Sequence, residues 1–174
     1  MAQENSDQSQ TPESSQPEAT RDTRKRIDRV TDWLCLGGAL SPDEYPRFRD
    51  AGITHIVDLR EDDEADAERL RELGLERRHV PVPDRGPPQF DQLTEAAQWF
   101  AAETSGASLY VHCKGGFGRA ATMAVGLLIL RGAALDEAVR QVREARPEMR
   151  LNNDQLDWLH AVEERIARET SEMK

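Results

Sequence analysis

One thiol of this chain lies where a short apolar strand is predicted to meet an apolar helix. Residues 109–111 predict the strand, residues 120–130 predict the helix, and residues 112–119 between them read HCKGGFGR. Unpaired N–H groups and the positive dipole end of a helix N-terminus favour an anion. Cysteines in such places, or beside Arg and Lys, have pKa values lowered from ~8.5 to roughly 3.5–7.5. We therefore expect Cys113 to be a thiolate, which is the nucleophilic form.

Arg119 follows six residues after Cys113 and closes the loop between them. Its planar fork can make two parallel hydrogen bonds to two oxygens of a phosphate group. Three glycines in the loop permit the positive φ angles and close backbone approach that wrapping a tetrahedral oxyanion requires. The segment is therefore predicted to bind phosphate or an anion of the same shape. The expected binding residues are Lys114, Gly115, Gly116, Phe117 and Gly118.

Residues 112–119 resemble the signature loop of the cysteine-dependent protein tyrosine phosphatase superfamily, in particular that of the small atypical dual-specificity phosphatases. The resemblance extends from about Ile27 to Ile166. It implies a phosphomonoesterase in which Cys113 attacks phosphorus and forms a phosphocysteine intermediate. Arg119 would hold the phosphate oxygens, and neither a cofactor nor a metal is expected.

A second segment, residues 82–88 with the sequence VPDRGPP, could supply the proton that a departing alkoxide or phenolate needs. An aspartate in a turn is structurally common, so Asp84 alone would indicate little. The family's general-acid loop, however, precedes its cysteine by a similar separation, and PD-x-x-PP looks like the form in certain small dual-specificity enzymes. The resemblance therefore implies that Asp84 is the general acid and later, as a carboxylate, activates water.

Other side chains near these segments are weaker candidates. His112 is expected to hold the loop through its backbone. Lys114 resembles the lysine of relatives that act on phosphoinositides, but those usually carry a second basic residue where this chain has Phe117. Gln155 resembles a glutamine that positions water in parts of the family. Cys35 is expected to be a core residue or, alternatively, a resolving thiol for Cys113.

The sequence departs from the family directly after the loop arginine. Most members carry Ser or Thr there, and that hydroxyl can donate to the cysteine sulfur while phosphocysteine is hydrolysed. This chain has Ala120, and Thr122 two positions further on should point away from the sulfur. We expect a competent first step followed by slow dephosphorylation.

Composition limits the partners and the location. The 174 residues carry a formal net charge of −10, with 33 acidic and 23 basic residues, which disfavours a broad nucleic-acid surface. Two cysteines are too few for a disulfide framework, and a reactive thiol needs a reducing compartment. The sequence shows neither a signal peptide nor an 18-residue apolar run. We expect a cytoplasmic protein without stable membrane association.

The distribution of apolar residues predicts a polar N-terminal tail, one folded domain and a short C-terminal tail. Residues 1–26 have almost no apolar side chains and are predicted to be disordered. Residues 27–168 are predicted to form the phosphatase domain, and residues 169–174 a C-terminal tail. Strands are predicted at 30–36, 53–59, 75–82 and 109–111, and helices at 42–51, 61–73, 120–130, 135–145 and 152–168. This alternation predicts a single α/β domain with a central, mostly parallel twisted sheet flanked by helices.

The favoured function is a metal-independent protein phosphatase of the dual-specificity or tyrosine type. A phosphatase of small molecules, phosphoinositides or RNA ends would use the same residues. A sulfurtransferase also uses a cysteine loop at a helix start, but it has no need of Asp84. A non-catalytic phosphate-binding module would keep the loop without turnover. The substrate and the oligomeric state stay open at this stage.

Overall fold

The computed structural model describes residues 22–101 and 106–174. A five-stranded sheet with the order β1-β2-β5-β3-β4 forms its centre. Only the β1–β2 pair is antiparallel among these strands. The strands are β1 Asp28–Arg29, β2 Leu34–Gly37, β3 His55–Asp58, β4 Glu76–His79 and β5 Leu109–His112. Strands β2, β3 and β5 are buried along their whole length, as expected of a parallel sheet covered on both faces. The predicted fold class is confirmed.

Helices pack on both faces of the sheet. They are α1 Pro46–Asp50, α2 Ala67–Glu72, α3 Phe90–Ala101, α4 Arg119–Leu130, α5 Leu135–Ala145 and α6 Asn153–Glu172. The first eleven residues of α4 are all buried, which explains why its sequence is apolar all round. Helices α3, α5 and α6 pack against α4 in one core, and α1 and α2 contribute to a smaller core on the other face.

Several element bounds differ from the prediction. The first predicted strand begins only at Leu34 and is preceded by the short antiparallel β1. The helix predicted at 42–51 divides into a 3-10 turn, Pro42–Glu44, and α1, because Pro46 lacks an N–H group and begins a new helix. Helix α2 begins only after Asp66, whose side chain accepts a hydrogen bond from the Arg69 N–H. Helix α3 was not predicted.

The structure describes residues on both sides of the two predicted domain boundaries. Most of the predicted N-terminal tail lies outside the described residues, but residues 22–26 are described and contain a 3-10 turn, Thr23–Lys25. Arg26, at the end of this segment, forms ion pairs with Asp28 at 2.6 Å and Glu148 at 2.9 Å. At the other end, α6 continues to Glu172 through most of the predicted C-terminal tail. None of the helices described is long and apolar enough to cross a membrane.

Candidate active site

The loop of residues 113–119, here called the phosphate loop, directly follows β5 at the carboxyl edge of the sheet. Ligands of open α/β sheets bind at this edge. The Cys113 side chain is buried, and the Gly116 N–H donates a hydrogen bond to its sulfur at 3.2 Å. Gly116 has a φ of 78°, and a Cβ at this position would collide with the backbone of Gly37. Only glycine fits at this position.

The carbonyl groups of the phosphate loop are engaged on the outside of the loop. The Lys114 carbonyl accepts a hydrogen bond from the Ala39 N–H at 3.1 Å, and the Gly115 carbonyl accepts one from Arg146 Nη2 at 2.9 Å. The Phe117 carbonyl accepts from the Arg150 N–H at 2.8 Å, and the Gly118 carbonyl from the Thr122 N–H at 2.9 Å. In a planar trans peptide the N–H group points away from the C=O group. The loop therefore turns its N–H groups inward, which is the arrangement that binds a tetrahedral anion.

Arg119 is the first residue of α4, and its side chain is 9% exposed. Its Nη1 donates to the Val82 carbonyl at 3.0 Å, and its Nη2 lies 3.6 Å from Asp84 Oδ1. The second distance is that of an ion pair rather than a hydrogen bond. The guanidinium thus lies between the phosphate loop and the segment that carries Asp84. Its Nη2 atom is held only weakly, by the ion pair with Asp84.

Residues 82–88, here called the acid loop, border the same cleft. The Asp84 side chain is 72% exposed, and Arg85 has a positive φ of 62°. The start of α6 holds the loop through two hydrogen bonds: Asn152 Nδ2 donates to the Arg85 carbonyl at 2.7 Å, and Gln155 Nε2 donates to the Gly86 carbonyl at 3.3 Å. The acid loop is therefore held at Arg85 and Gly86, and the exposed Asp84 side chain can reach the cleft.

A buried ionic cluster supports the loop from behind. The Asp58 side chain is fully buried and pairs with Arg60 at 2.7 Å and Arg77 at 2.8 Å. Burial alone would raise the pKa of Asp58, but the hydrogen bonds from Arg60 and Arg77 hold it well below its usual range. Burial lowers the pKa of His112, although Asp58 opposes this effect. The neutral ring can donate from Nδ1 to the Cys113 carbonyl at 3.0 Å, the backbone contact expected of His112.

The cleft has a volume of about 730 Å³ and a strongly basic lining. Five basic side chains and one acid, Asp84, line it; the basic residues are Arg24, Arg85, Lys114, Arg119 and Arg150. Arg24 pairs with Asp22 at 2.7 Å. Within the described ranges, no carboxylate lies within 4.0 Å of Arg85, Lys114 or Arg150. The potential is therefore locally positive on a protein with net negative charge.

The structure rules out a direct disulfide between Cys35 and Cys113. Cys35 pairs in register with Tyr110, three residues before Cys113 along β5. At ~3.3 Å per residue the two Cα atoms are about 10 Å apart, beyond the ~7 Å limit for a disulfide. Cys35 is fully buried, which raises the pKa of its thiol. The interpretation of Cys35 as a core residue holds, and the resolving-thiol alternative is wrong for this conformation.

The structure also shows the surroundings of Thr122 and Gln155 and whether the described residues offer a metal site. The Thr122 hydroxyl donates to the Gly118 carbonyl at 2.8 Å, one helical turn back, and so its proton is already engaged. Gln155 lines the cleft, but its Oε1 accepts from the Asn152 N–H at 3.1 Å and caps α6. In the part of the chain that the structure describes, no group of three or more His, Cys, Asp or Glu side chains is arranged to hold a metal ion.

Sequence reasoning missed Arg24, Arg150 and the buried Arg146. Arg24 lies in the segment that was assigned to the tail, and Arg150 follows α5, where nothing in the local pattern marks a site. Only the fold brings them to the cleft. Arg146 stands before a proline at a helix end, and its sequence context gives no sign that its side chain is completely buried.

The sequence matches a known protein family and a human relative. A family model described as "Swiss Army Knife protein, DSP-PTPase phosphatase domain" matches residues 34–173. The human protein "Phosphatidylglycerophosphatase and protein-tyrosine phosphatase 1" is 30% identical over 158 residues, which cover 85% of this chain and 77% of that protein.

Solved structures agree with this relationship. The crystal structure of Tk-PTP in the active form superposes with a TM-score of 0.73 at 28% identity, covering 80% of this chain and 97% of that one. The crystal structure of human DUSP28 superposes with a TM-score of 0.71 at 25% identity, covering 83% and 99%. The matched family and the human relative are named as phosphatases, which supports phosphatase activity here. This chain belongs to the dual-specificity phosphatase (DSP-PTPase) family of the cysteine-dependent protein tyrosine phosphatase superfamily.

Proposed function

We propose that this chain hydrolyses phosphomonoesters through a phosphocysteine intermediate, with Cys113 as nucleophile, Arg119 as phosphate clamp and Asp84 as general acid. The observation that carries the proposal is the shared cleft. A buried sulfur accepts a hydrogen bond from the Gly116 N–H inside a loop whose carbonyls face outward, and Asp84 lies 3.6 Å from the clamp arginine. These parts supply a nucleophile, an oxyanion site and a proton donor.

In the first step the Cys113 thiolate attacks phosphorus in line with the leaving oxygen, so that an S–P bond forms while the P–O bond breaks. The inward N–H groups and Arg119 hold the three equatorial oxygens. When Arg119 turns its Nη atoms to the phosphate, its weak contact with Asp84 is given up. Asp84 in its protonated form then donates to the leaving oxygen.

In the second step water attacks the phosphocysteine. Asp84, now a carboxylate, accepts one proton from the water, the new P–O bond forms and the S–P bond breaks. The thiolate is restored and inorganic phosphate leaves. The mechanism uses no cofactor, and it requires Cys113 as a free thiol, which is favoured by the reducing cytoplasm.

A phosphorylated protein is the first candidate substrate. The support is the signature loop, the form of the acid loop, and a human relative whose name includes protein-tyrosine phosphatase.

A small molecule or lipid head group carrying a phosphomonoester is the second candidate. The observation that favours it is the set of cleft cations without a carboxylate partner, Arg85, Lys114 and Arg150, which can bind a further negative group of the substrate. The same human relative is also named a phosphatidylglycerophosphatase.

Two sets of assays test this proposal. Hydrolysis of p-nitrophenyl phosphate should occur in the presence of a chelator, be inhibited by vanadate and be lost in Cys113→Ser. A panel of phosphotyrosine and phosphothreonine peptides, inositol phosphates and vesicles containing phosphatidylglycerophosphate then separates the substrates. If the second candidate is right, Lys114→Gln and Arg150→Gln should lower kcat/KM more for substrates that carry a second anionic group than for p-nitrophenyl phosphate, which carries only one. Equal losses on both would contradict it.

A further inference from the structure

Arg146 ends helix α5 on the outer side of the phosphate loop and is completely buried. A charged side chain is costly to bury unless it is paired and hydrogen-bonded, so its contacts are informative. Its Nη1 donates to Asp28 Oδ2 at 2.7 Å. Its Nη2 donates to two backbone carbonyls, those of Gly115 at 2.9 Å and Thr23 at 3.0 Å. The guanidinium carbon also lies 4.8 Å from the centre of the Phe117 ring.

Two of these contacts are made to the phosphate loop itself. The Gly115 carbonyl and the Phe117 ring belong to the segment between the nucleophile and the clamp arginine. A lysine could not reproduce the set, because one ammonium group cannot span a carboxylate and two carbonyls as a planar fork does. Arg146 therefore fixes the outside of the loop to β1 and to the segment of residues 22–26.

The peptide unit that joins Gly115 and Gly116 connects Arg146 with the nucleophile. Its carbonyl accepts from Arg146, and its N–H donates to the Cys113 sulfur at 3.2 Å. Because the peptide is planar and trans, fixing the carbonyl on the outside fixes the N–H on the inside. A glycine on either side leaves this unit free to rotate in the absence of such a contact. A cation on the carbonyl also polarises the peptide and strengthens the hydrogen bond on the opposite side.

We infer that Arg146 is a positioning residue for catalysis: it orients and polarises the Gly115–Gly116 peptide so that the Gly116 N–H stabilises the Cys113 thiolate and the bound oxyanion. This inference deepens the proposed function and rests on it. Arg146 makes no contact with substrate. Its effect reaches the reacting atoms through one peptide unit.

The test measures the thiolate rather than turnover alone. In Arg146→Lys, the pH midpoint for iodoacetamide alkylation of Cys113, followed by mass spectrometry of the peptide that contains it, should rise by about one unit, which corresponds to about tenfold weaker stabilisation of the thiolate. The inhibition constant for vanadate should rise by about tenfold, the scale of one hydrogen bond to a charged group. Both assays use the full chain. The charged and titratable groups around the sulfur that stay unchanged are Arg24, Asp84, Arg85, His112, Lys114, Arg119 and Arg150.

Two further variants separate positioning from support of the fold. Asp28→Asn breaks the ion pair but keeps the guanidinium on the Gly115 carbonyl, so its alkylation midpoint should not rise. Glu148→Gln is a matched control, because it removes a partner of Arg26 and leaves the hydrogen bonds of Arg146 to Asp28, Thr23 and Gly115 in place. Its midpoint and vanadate inhibition should equal those of the wild type.

The inference is overturned if Arg146→Lys keeps the wild-type midpoint, or if Asp28→Asn raises the midpoint above that of the wild type by about one unit. The second result would mean that only the ion pair matters, and it can be obtained even if Arg146→Lys does not fold. Failure of the proposed function has a different signature. In that case the wild type would not hydrolyse phosphomonoesters, or Cys113→Ser would retain activity, whatever the behaviour of Arg146.

Discussion

Replacing Ala120 with serine is expected to speed the second chemical step. Ala120 is the second residue of α4 and is fully buried beside the phosphate loop. In the part of the chain described, the hydrogen bond to the Cys113 sulfur comes from the Gly116 N–H. The hydroxyl of Thr122 cannot supply another while it donates to the Gly118 carbonyl at 2.8 Å. On the proposed mechanism, the thiolate that departs from phosphocysteine would therefore lack the hydroxyl donor that the family resemblance implies for most members.

The size of the effect follows from the missing contact. A hydrogen bond to a charged group contributes roughly 1.5–3 kcal/mol net. At about 1.36 kcal/mol per tenfold, this corresponds to roughly 10- to 150-fold in the rate of dephosphorylation. We expect the wild type to release one equivalent of leaving group in a burst and then to turn over slowly.

Rapid-mixing kinetics with p-nitrophenyl phosphate measure both phases. In Ala120→Ser the steady rate should rise and the burst should shrink, while the burst rate stays near that of the wild type. Thr122→Val is the matched control, because it removes a hydroxyl that is engaged elsewhere and should leave the burst amplitude unchanged. A wild type without a burst, together with an Ala120→Ser variant of unchanged kcat, would refute the reasoning.

Three further changes have defined outcomes. Asp84→Asn should lower kcat by ~10²–10⁴-fold on phosphotyrosine and by less on a highly activated aryl phosphate; equal losses would exclude Asp84 as the acid. Arg119→Lys should lose about 10²–10³-fold in kcat, because a point charge replaces the fork, and near-wild-type kinetics would remove its role as clamp. Asp58→Asn should lower the free energy of unfolding at pH 7 by about 3 kcal/mol, because Arg60 and Arg77 lose their shared buried carboxylate and keep only the exposed partners Glu64 and Asp63. Since the folded-state pKa of Asp58 is lowered, its stabilisation is present above about pH 4 and is lost as the pH falls; thermal melts should show this acid dependence in the wild type and less of it in Asp58→Asn.

The contiguous parts of the site could be predicted because they form one local structure. The strand, the glycines and the helix start around Cys113 all lie within about twenty residues, so their spacing alone indicates an anion-binding loop. Asp84 was predicted as the acid from its position at the end of a strand and from family resemblance, and it lines the same cleft as Cys113. The missed helix α3 did carry a signal, because Phe90, Leu93 and Phe100 recur at helical spacing and face the core.

Other features depend on long-range packing and have no local pattern. The segment of residues 22–26 is polar enough to be assigned to a solvated tail, yet Arg26 pairs with Glu148 and the Arg24 carbonyl accepts from the Gly38 N–H at 2.8 Å. Arg146 became recognisable as part of the site only when the fold brought it to the Gly115 carbonyl. Contacts between different parts of the chain cannot be inferred from the periodicity within one segment.

The central claim is that Cys113 carries the phosphoryl group during turnover. Acid quenching of the wild type with a radiolabelled phosphomonoester, followed by peptide mapping, should place the label on the peptide that contains Cys113. The slow second step expected with Ala120 should make the labelled fraction large. Cys113→Ser should show neither label nor turnover. A wild type that hydrolyses the substrate without labelling that peptide, or a Cys113→Ser variant that remains active, would contradict the account.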